Sequence, residues 1–533
     1  MKLRIFCVVI LSLCVALPVV AETSSPQLLA GLEIPLTLND VINLMIDRNL
    51  DINSNRLSPI SSRLQSLVFY RFLQPSITVS GSVSRDSSAS TTQLNGATAL
   101  SQLRHSFSLG YAQTLPTGTT FSATGTMNRT SSNSVLNTFN PSYSGRVTYS
   151  ISQHLLRDRP RIVNMRQILQ GQNNEKISEA QFELQLINLI VTAQKSYWDL
   201  VFSNEDLKVK QRSLGLAEQT LEENKAKVEI GTMAPIDVVQ TRADVASRRE
   251  LVVVSTGSMT QSEDQIKKLI SSENDPEMFL VRLRALETPR RPDDVAIPAL
   301  ADAIKVALEN RAELRQALLD EQNRDLDVQY TRNQKLPQLD ITAAFNQNGT
   351  GGTQTRRGAV LGSGDVQEVI PGGLGDALNQ LFGYHYTGYS LGFSLVIPLK
   401  NKAAEADYSR AINERKLADS RINATSQNIA LEVRNAIIST ETNRARIDTA
   451  QTARELAEEK LEAEKTKFDL GVSTLRFVLE EQRNVAQAQS NELQAVVNFT
   501  KSLVDLDKAM GLTLKKNNVE IDRALAAPAA AAK

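Results

Sequence analysis

Two segments of the chain, residues 76–154 and 339–398, alternate apolar with polar positions. In YSGRVTYSI, residues 143–151, apolar side chains occupy most odd-numbered positions, and YSLGFSLVI, residues 389–397, repeats the pattern. A period of two predicts β-strands. Since both segments contain few charged residues and many Ser, Thr, Gly and Asn, they favour a sheet with one apolar face over a solvated linker.

A period of seven predicts long helices on both sides of Gly231. The apolar positions are Leu186, Ala193, Leu200, Leu207, Leu214, Leu221 and Val228 before it, and Val238, Val245, Val252, Met259 and Ile266 after it. This spacing is typical of a coiled coil. Gly231 is suited to ending one helix and Pro235 to starting the next, which predicts an antiparallel hairpin. A helix over residues 162–230 would be about 100 Å long, which suits a tube better than a compact globule.

The sequence also repeats internally. LAEQTLEENKAKVEIG at 216–231 returns as LAEEKLEAEKTKFDLG at 456–471, and LNDVINLMIDRNLDI from Leu38 returns as LADAIKVALENRAEL from Leu300. Each copy runs helix, strand region, long helix, glycine and helix. Repeats of this kind are the first guide to architecture, and here they predict two similar halves.

The first residues predict a secretory signal peptide, residues 1–21, because Lys2 and Arg4 precede an apolar run that ends in a small residue. The two cysteines, Cys7 and Cys14, lie in this segment, so we expect the exported chain to have no thiol, disulfide or cysteine metal site. The remaining predicted divisions are an N-terminal segment at 22–35, the first repeat at 36–273 with strands at about 76–154, a linker at 274–297, the second repeat at 298–513 with strands at about 339–398, and a C-terminal tail at 514–533.

Charge and motifs give no indication of catalysis. The 59 basic and 59 acidic residues cancel, so no nucleic-acid partner is expected. His105, His154 and His385 lack the spacing of a metal site, and the glycine-rich run from Gly349 lacks a phosphate-cradling turn. We therefore expect no catalytic residues, no cofactor and no metal, and predict that the protein is not an enzyme.

Short alternating strands in an exported chain are typical of a transmembrane barrel, with a soluble periplasmic β-sandwich as the alternative. Four strands are predicted in the first copy and two in the second, which are too few for a wide pore, so several copies would have to share one barrel. The hairpin from about Phe107 to Met127 either belongs to this barrel or forms a loop. The alternation leaves that choice open.

The sequence resembles TolC-type outer-membrane efflux proteins over nearly all of the mature chain. The resemblance rests on the paired helix starts, on the glycine-centred segments KVEIGTMAPIDVVQTRADVA and KFDLGVSTLRFVLEEQRNVA, and on SQHLLRD and VIPLKN after the strand regions. It implies a mixed α and β membrane protein built from two repeats per protomer. Such a homotrimer combines a transmembrane antiparallel β-barrel, in contact with outer-membrane lipid, with a periplasmic α-helical barrel of coiled-coil hairpins.

The resemblance also implies a function, that of the outer-membrane exit duct of a tripartite efflux or type I secretion system. An inner-membrane transporter and a periplasmic adaptor protein would be its partners. The alternative is a periplasmic coiled-coil adaptor or scaffold without a pore. Adaptors carry one helical hairpin, whereas this chain contains two whole repeats, which favours the duct. The sequence does not identify the cargo.

By position, the resemblance places adaptor-docking tips at the two glycine turns, which are Gly231 with Thr232 and Gly471 with Val472. It places a periplasmic constriction just beyond them.

The candidate constriction residues are Asp237, Phe468, Phe477 and Glu480. Asp237 fits the acidic pattern of the family, whereas Phe468 stands where a tyrosine is often found and Phe477 replaces an acidic residue. Glu480 and Glu481 are the nearest carboxylates, and the hypothesis is that Glu480 lines the constriction with Asp237. A solvated helix face is the alternative interpretation.

Overall fold

The computed structural model describes residues 33–91, 95–272, 276–289, 295–358 and 366–525. The predicted signal peptide, with both cysteines, lies outside the described residues. The described chain contains long helices, a two-stranded sheet and a seven-stranded sheet.

The first half begins with a short strand and two helices, continues with four long strands and ends with two long helices. These elements are β1 (Glu33–Leu36), α1 (Leu38–Arg48), α2 (Leu50–Val68), β2 (Ser76–Ala89), β3 (Ala99–Thr114), β4 (Thr119–Ser132), β5 (Phe139–His154), α3 (Arg161–Asn164), α4 (Arg166–Glu229) and α5 (Pro235–Ile270). Short 3₁₀ helices occupy Phe69–Leu73 and Pro276–Leu280.

The second half repeats this order with a shorter strand region. Its elements are β6 (Arg282–Ala285), α6 (Leu300–Asn310), α7 (Ala312–Gln334), β7 (Gln338–Arg357), β8 (Val366–Ile370), α8 (Leu374–Phe382), β9 (Tyr386–Val396), α9 (Lys402–Asp469), α10 (Leu475–Ala509), α11 (Thr513–Lys516) and α12 (Ile521–Leu525). Helices α1, α2, α4 and α5 correspond to α6, α7, α9 and α10, as the internal repeat predicts.

The long helices form two antiparallel hairpins, α4 with α5 and α9 with α10. Helix α4 has 64 residues and α9 has 68, so each is about 100 Å long. The predicted helix over 162–230 corresponds closely to α4. The heptad positions Leu186, Ala193, Leu200 and Leu221 are buried on α4, as are Val245, Met259 and Ile266 on α5.

The main hydrophobic core surrounds the middle of the hairpins. Strands β1 and β6 pair in parallel there, and Val41, Ile42 and Met45 of α1 belong to the same buried cluster. The buried Tyr197 hydroxyl donates to the Leu36 carbonyl at 3.1 Å, which ties α4 to this small sheet. The described parts of the predicted N-terminal segment, linker and C-terminal tail all contribute to this core.

The seven-stranded sheet is antiparallel throughout and joins both repeats. Its order is β2-β3-β4-β5-β7, and β9 and β8 pair with the near and far parts of β7. The hairpin predicted near Phe107 and Met127 is β3 with β4, which lies in the sheet between β2 and β5. The second repeat has one strand more than predicted, because the five-residue β8 pairs with the far end of β7.

The sheet has two chemically different faces. Residues directly opposite each other lie on one face, so the register places odd-numbered residues of the six long strands together. This apolar face carries exposed side chains such as Tyr389 (90 % exposed) and Phe393 (80 %). The even-numbered residues form the other face, called here the hydroxyl face because most are Ser, Thr, Asn or Gly.

Helix α8 lies against the apolar face at the end of the sheet farthest from the long helices. Ala377 and Leu381 are its buried residues. Glycines on β7 make this contact possible, because a Cβ at Gly349 would overlap the Ala377 carbonyl oxygen and one at Gly351 would overlap the Gly373 carbonyl. The backbone of α8 therefore packs directly against the backbone of β7.

We predict that Gly349→Ala displaces α8. The added methyl group would collide with the Ala377 carbonyl, so a Leu381→Cys reporter should react with maleimide at least roughly tenfold faster. Gly375→Ala is the matched control, because no atom lies within 4 Å of its added Cβ. Equal labelling rates in both variants would contradict the conclusion that the glycines of β7 allow α8 to pack against the sheet.

Candidate functional site

The two helical hairpins end in turns of the same geometry. Gly231 has φ of +82° and Gly471 has φ of +77°, a backbone conformation that favours glycine. The amide after each glycine donates back to the helix: Thr232 to the Lys227 carbonyl at 2.9 Å, and Val472 to the Lys467 carbonyl at 3.0 Å. The predicted glycine ends of α4 and α9 therefore have a local physical cause.

The turns expose apolar side chains that a single chain leaves uncovered. Ile230 and Leu470 are each 74 % exposed and Val472 is 75 % exposed. Thr232 is also exposed, although its hydroxyl donates to the Lys227 carbonyl at 3.0 Å. Two similar tips thus present apolar contact residues at one end of the molecule.

The predicted constriction residues lie near these tips, at the ends of the three helices α5, α9 and α10. Asp237 is half-buried in the first turn of α5, and Phe468 is half-buried with the Lys227 ammonium 5.9 Å from its ring centre. Phe477 is 46 % exposed. Within the described residues, no hydrogen bond or ion pair joins Asp237 to Glu480.

The adjacent carboxylates Glu480 and Glu481 have different surroundings. Glu481 is buried and bonds the Lys460 ammonium at 2.6 Å and the Asn484 amide at 3.1 Å. The Lys460 hydrogen bond holds the pKa of Glu481 below its usual range. Glu480 is exposed, so it is the member of the pair that faces solvent.

Ser473, the second residue after Gly471, binds within its own hairpin. Its hydroxyl donates to Glu464, which also receives the Lys467 ammonium at 3.1 Å. The hydrogen bond from Ser473 holds the pKa of Glu464 below its usual range. This end of the second hairpin therefore combines polar contacts with the buried side chains Leu475, Val478 and Leu479.

Sequence reasoning missed a buried ionic cluster that joins the two hairpins. The Arg248 guanidinium, almost completely buried, donates to Asp244 at 2.7 Å, to the Ser213 hydroxyl at 2.8 Å and to the Gln482 amide oxygen at 3.3 Å. Arg483 approaches Asp244 at 3.5 Å from α10. Burial lowers the pKa of Arg248, and Asp244 is the main opposing influence. Charges spaced i and i+4 are common on exposed helices, so the sequence did not distinguish this pair.

Further polar contacts continue this connection towards the middle of the hairpins. Lys195 pairs with Asp505 at 2.7 Å, and Lys501 pairs with Asp199. Closer to the tips, Asp206 accepts hydrogen bonds from Ser490 and, at 3.3 Å, from Ser255. These contacts and the Arg248 cluster are called the polar ladder below.

On the hydroxyl face of the sheet, side chains of neighbouring strands form hydrogen bonds with one another. The Ser80 and Ser108 hydroxyls are 2.7 Å apart, and those of Ser122 and Ser150 are 2.6 Å apart. Arg146 donates to the Asn348 side-chain oxygen at 2.8 Å. Hydrogen bonding of this kind gives a polar wall with little net charge.

Among the described residues, no group of three or more His, Cys, Asp or Glu is arranged to hold a metal ion. No helix in the described part of the chain is long and apolar enough to cross a membrane. His154 pairs with Asp340 at 2.6 Å, which links β5 to β7. This contact could not be predicted from the sequence, because 186 residues separate the partners.

The chain combines long paired helices that have exposed tips with a sheet that is apolar on one face and hydroxylated on the other. This combination is typical of channel proteins whose β-strands span a membrane. The family model described as outer membrane efflux protein matches residues 42–272 and 303–512. The chain therefore belongs to the outer membrane efflux protein family.

Individual relatives agree with this assignment. The outer membrane protein TolC of Vibrio cholerae is 19 % identical over 349 residues, or 65 % of this chain and 73 % of that protein. The CmeC outer membrane channel of Campylobacter jejuni superposes with a TM-score of 0.61 at 17 % identity, covering 91 % of this chain and 90 % of that chain. VceC of Vibrio cholerae gives 0.61 at 13 % identity, covering 89 % and 96 %.

The predicted fold class is thereby confirmed: a mixed α and β membrane protein built from two repeats, with an α-helical barrel and a β-barrel region. The location is confirmed as well, with the strands in the outer membrane and the helical barrel in the periplasm. The apolar face of the sheet accordingly faces lipid, and the tips lie at the periplasmic end.

We predict that Arg248→Met loosens the connection between the hairpins. The change leaves the buried Asp244 carboxylate with a weaker partner, and removing one member of such a pair costs about 3–5 kcal/mol. Amide hydrogen exchange in 235–248 and 475–484 should rise at least about tenfold. Arg249→Met is the matched control, because Arg249 is exposed and pairs only with Glu218 among the described residues. Similar exchange in both variants would contradict the role of the cluster.

Proposed function

We propose that three copies of this chain form the outer-membrane exit duct of a tripartite efflux or type I secretion system. An inner-membrane transporter would deliver substrates through a periplasmic adaptor. The observation that carries the proposal is the combination of two matching exposed tips with a sheet whose faces suit lipid and water. The proposal contains no catalytic step.

The edges of the sheet support the homotrimer. In a single chain β2 and β9 each have a neighbour on one side only, and both are exposed along their length. Unpaired backbone groups are costly within a membrane, so these edges need strand partners. Because β2 and β9 run in opposite directions, β2 of one copy can pair antiparallel with β9 of the next. Six long strands per copy would then give eighteen in one closed barrel.

The same symmetry supports the docking tips. Two hairpins per copy and three copies would place six similar turns around one periplasmic opening. Ile230, Leu470 and Val472 would offer apolar anchors there, and exposed apolar patches are typical of protein contact sites. Gly231, Thr232 and Gly471 would provide the exposed backbone of these turns. An adaptor that recognises one turn would meet six near-equivalent sites.

A periplasmic constriction at Asp237, Phe468, Phe477 and Glu480 is part of the proposal. Rings of Asp237 and Glu480 carboxylates across a narrow lumen would attract cations and repel anions. Phe468 and Phe477 would narrow the opening with apolar rings. The hydroxyl face of the sheet carries few charges, so ion selectivity would arise at the mouth rather than in the membrane.

The polar ladder would limit the opening of this mouth. It holds the second hairpin against the first inside each copy, and the Arg248 cluster is its contact nearest to the tips. Widening the mouth by moving the second hairpin alone would separate Phe468 from Lys227 and would then break the Arg248 cluster. Opening therefore has an energetic cost that the adaptor would have to offset.

We predict that the purified protein is trimeric and forms discrete cation-selective channels in a planar bilayer. Glu480→Gln should reduce the cation-to-anion permeability ratio by at least about twofold, because three charges leave the lumen. Glu481→Gln should leave the ratio unchanged, because that carboxylate is buried against Lys460. If Glu481→Gln lost cation selectivity and Glu480→Gln did not, the proposal that Glu480 lines the constriction would be wrong. Absence of any channel would favour the periplasmic scaffold.

We predict that Val472→Asp, combined with Ile230→Asp, weakens adaptor engagement by at least about tenfold, since charge replaces the apolar anchors. Site-specific cross-linking to the adaptor in cells measures engagement, and bilayer conductance tests whether the duct itself is intact. Thr452→Asp, an exposed position on α9 more than four turns from the tip, is the control. Undiminished cross-linking in the double variant would contradict docking at the tips.

A further inference from the structure

A crevice of about 430 Å³ opens on the apolar face of the sheet, at the end of its apolar band farthest from the long helices. Its apolar lining residues are Val83, Phe107, Met127 and Leu374, the first residue of α8. Gly81 on β2 also lines it. Because the long helices are periplasmic, this end of the sheet lies at the outer leaflet of the membrane.

Basic and hydroxyl groups border the crevice at its outer end. Arg129 and His105 lie directly opposite each other on β4 and β3, and Tyr143 lies opposite Arg129 on β5. The Arg129 Nε donates to the Tyr143 hydroxyl at 3.2 Å, which orients the guanidinium. The two terminal nitrogens of Arg129 have no hydrogen-bond partner among the described residues, and no carboxylate lines the crevice.

Gly81 makes the crevice deeper than the sheet requires. A Cβ built there would meet only the Ser106 carbonyl oxygen, at 3.9 Å, which is an ordinary contact. The fold would therefore accept a side chain at this position. Glycine weakens a strand interior, and in strands it often marks a site that a ligand approaches closely.

We propose that this crevice binds an acyl chain of an outer-leaflet lipid, whose headgroup phosphate is bound by Arg129 and His105. An apolar slot with a guanidinium at its outer rim matches an amphiphile with an anionic head, and arginine binds phosphate with two parallel hydrogen bonds. The slot is continuous with the lipid-facing surface, so an acyl chain reaches it without leaving the membrane. This inference rests on the outer-membrane location and is independent of the duct's adaptor and transporter.

The test is competitive lipid binding to the purified full-length trimer in detergent, measured by native mass spectrometry. Phosphatidylglycerol is the anionic probe and phosphatidylcholine of the same acyl chains is the zwitterionic one. The wild type should retain phosphatidylglycerol preferentially. Arg129→Gln should reduce that preference about fivefold, the effect of roughly 1 kcal/mol per basic residue at an anionic surface.

Two further variants separate the lipid site from general effects of charge and folding. Arg104→Gln is the matched control, because Arg104 precedes His105 on β3 but lies on the hydroxyl face, so the preference should not change. Gly81→Leu should fill the slot and reduce retention of both lipids, while the trimer remains intact.

Three results would overturn the proposal. The first is an equal preference in wild type and Arg129→Gln. The second is an equal loss in Arg104→Gln, which would indicate a non-specific charge effect. The third is full displacement of phosphatidylglycerol by millimolar inorganic phosphate, which would indicate a site for the free anion rather than for lipid.

Discussion

The structure depends most on one constraint: every backbone N–H and C=O of a strand that faces lipid needs a hydrogen-bond partner. Strands β3, β4, β5 and β7 meet this condition inside one chain, whereas β2 and β9 do not. A single copy is therefore an incomplete membrane structure. The proposed trimer would supply the missing strand partners, and it would place six hairpins around a common axis.

The same register gives the sheet its two functions. Because paired residues lie directly opposite each other, apolar odd-numbered positions collect on one face and hydroxylated ones on the other. A slip of one residue would exchange the faces and place Tyr389 or Phe393 in the aqueous lumen. The pattern that holds the sheet in lipid thus also makes the lumen wall polar and nearly uncharged.

The internal repeat gives two hairpins of similar shape but different internal bonding. The first packs Ala217, Leu221 and Val245 near its end. The second is held by the pairs Arg454 with Glu492, at 2.7 Å, and Lys460 with Glu481. Apolar packing responds little to salt, whereas partly exposed ion pairs are screened by it. Each hairpin nevertheless contains both kinds of contact, because Arg249 pairs with Glu218 across the first and Leu475, Val478 and Leu479 are buried near the turn of the second. The hairpins differ in the residues that hold them and not in the kind of interaction.

The periods of seven and two, together with the glycine turns, allowed the sequence by itself to determine the long helices, their ends at Gly231 and Gly471, the strand regions and the two repeats. These features are local, because each depends on residues a few positions apart. The functional roles of the residues at the tips remain predictions, since position in a family pattern gives location and not activity.

Only the tertiary structure decided which elements are neighbours. The alternation in β3 and β4 predicted which of their side chains share a face of the sheet. It did not predict that the two strands lie between β2 and β5, because hydrogen bonding between strands depends on partners distant in sequence. The position of helix α8 could not be predicted, because the helix packs against glycines on β7. The burial of Arg248 likewise depends on α10. The sequence pattern predicts an exposed charge at this position, whereas in the structure Arg248 is buried and joins the two hairpins.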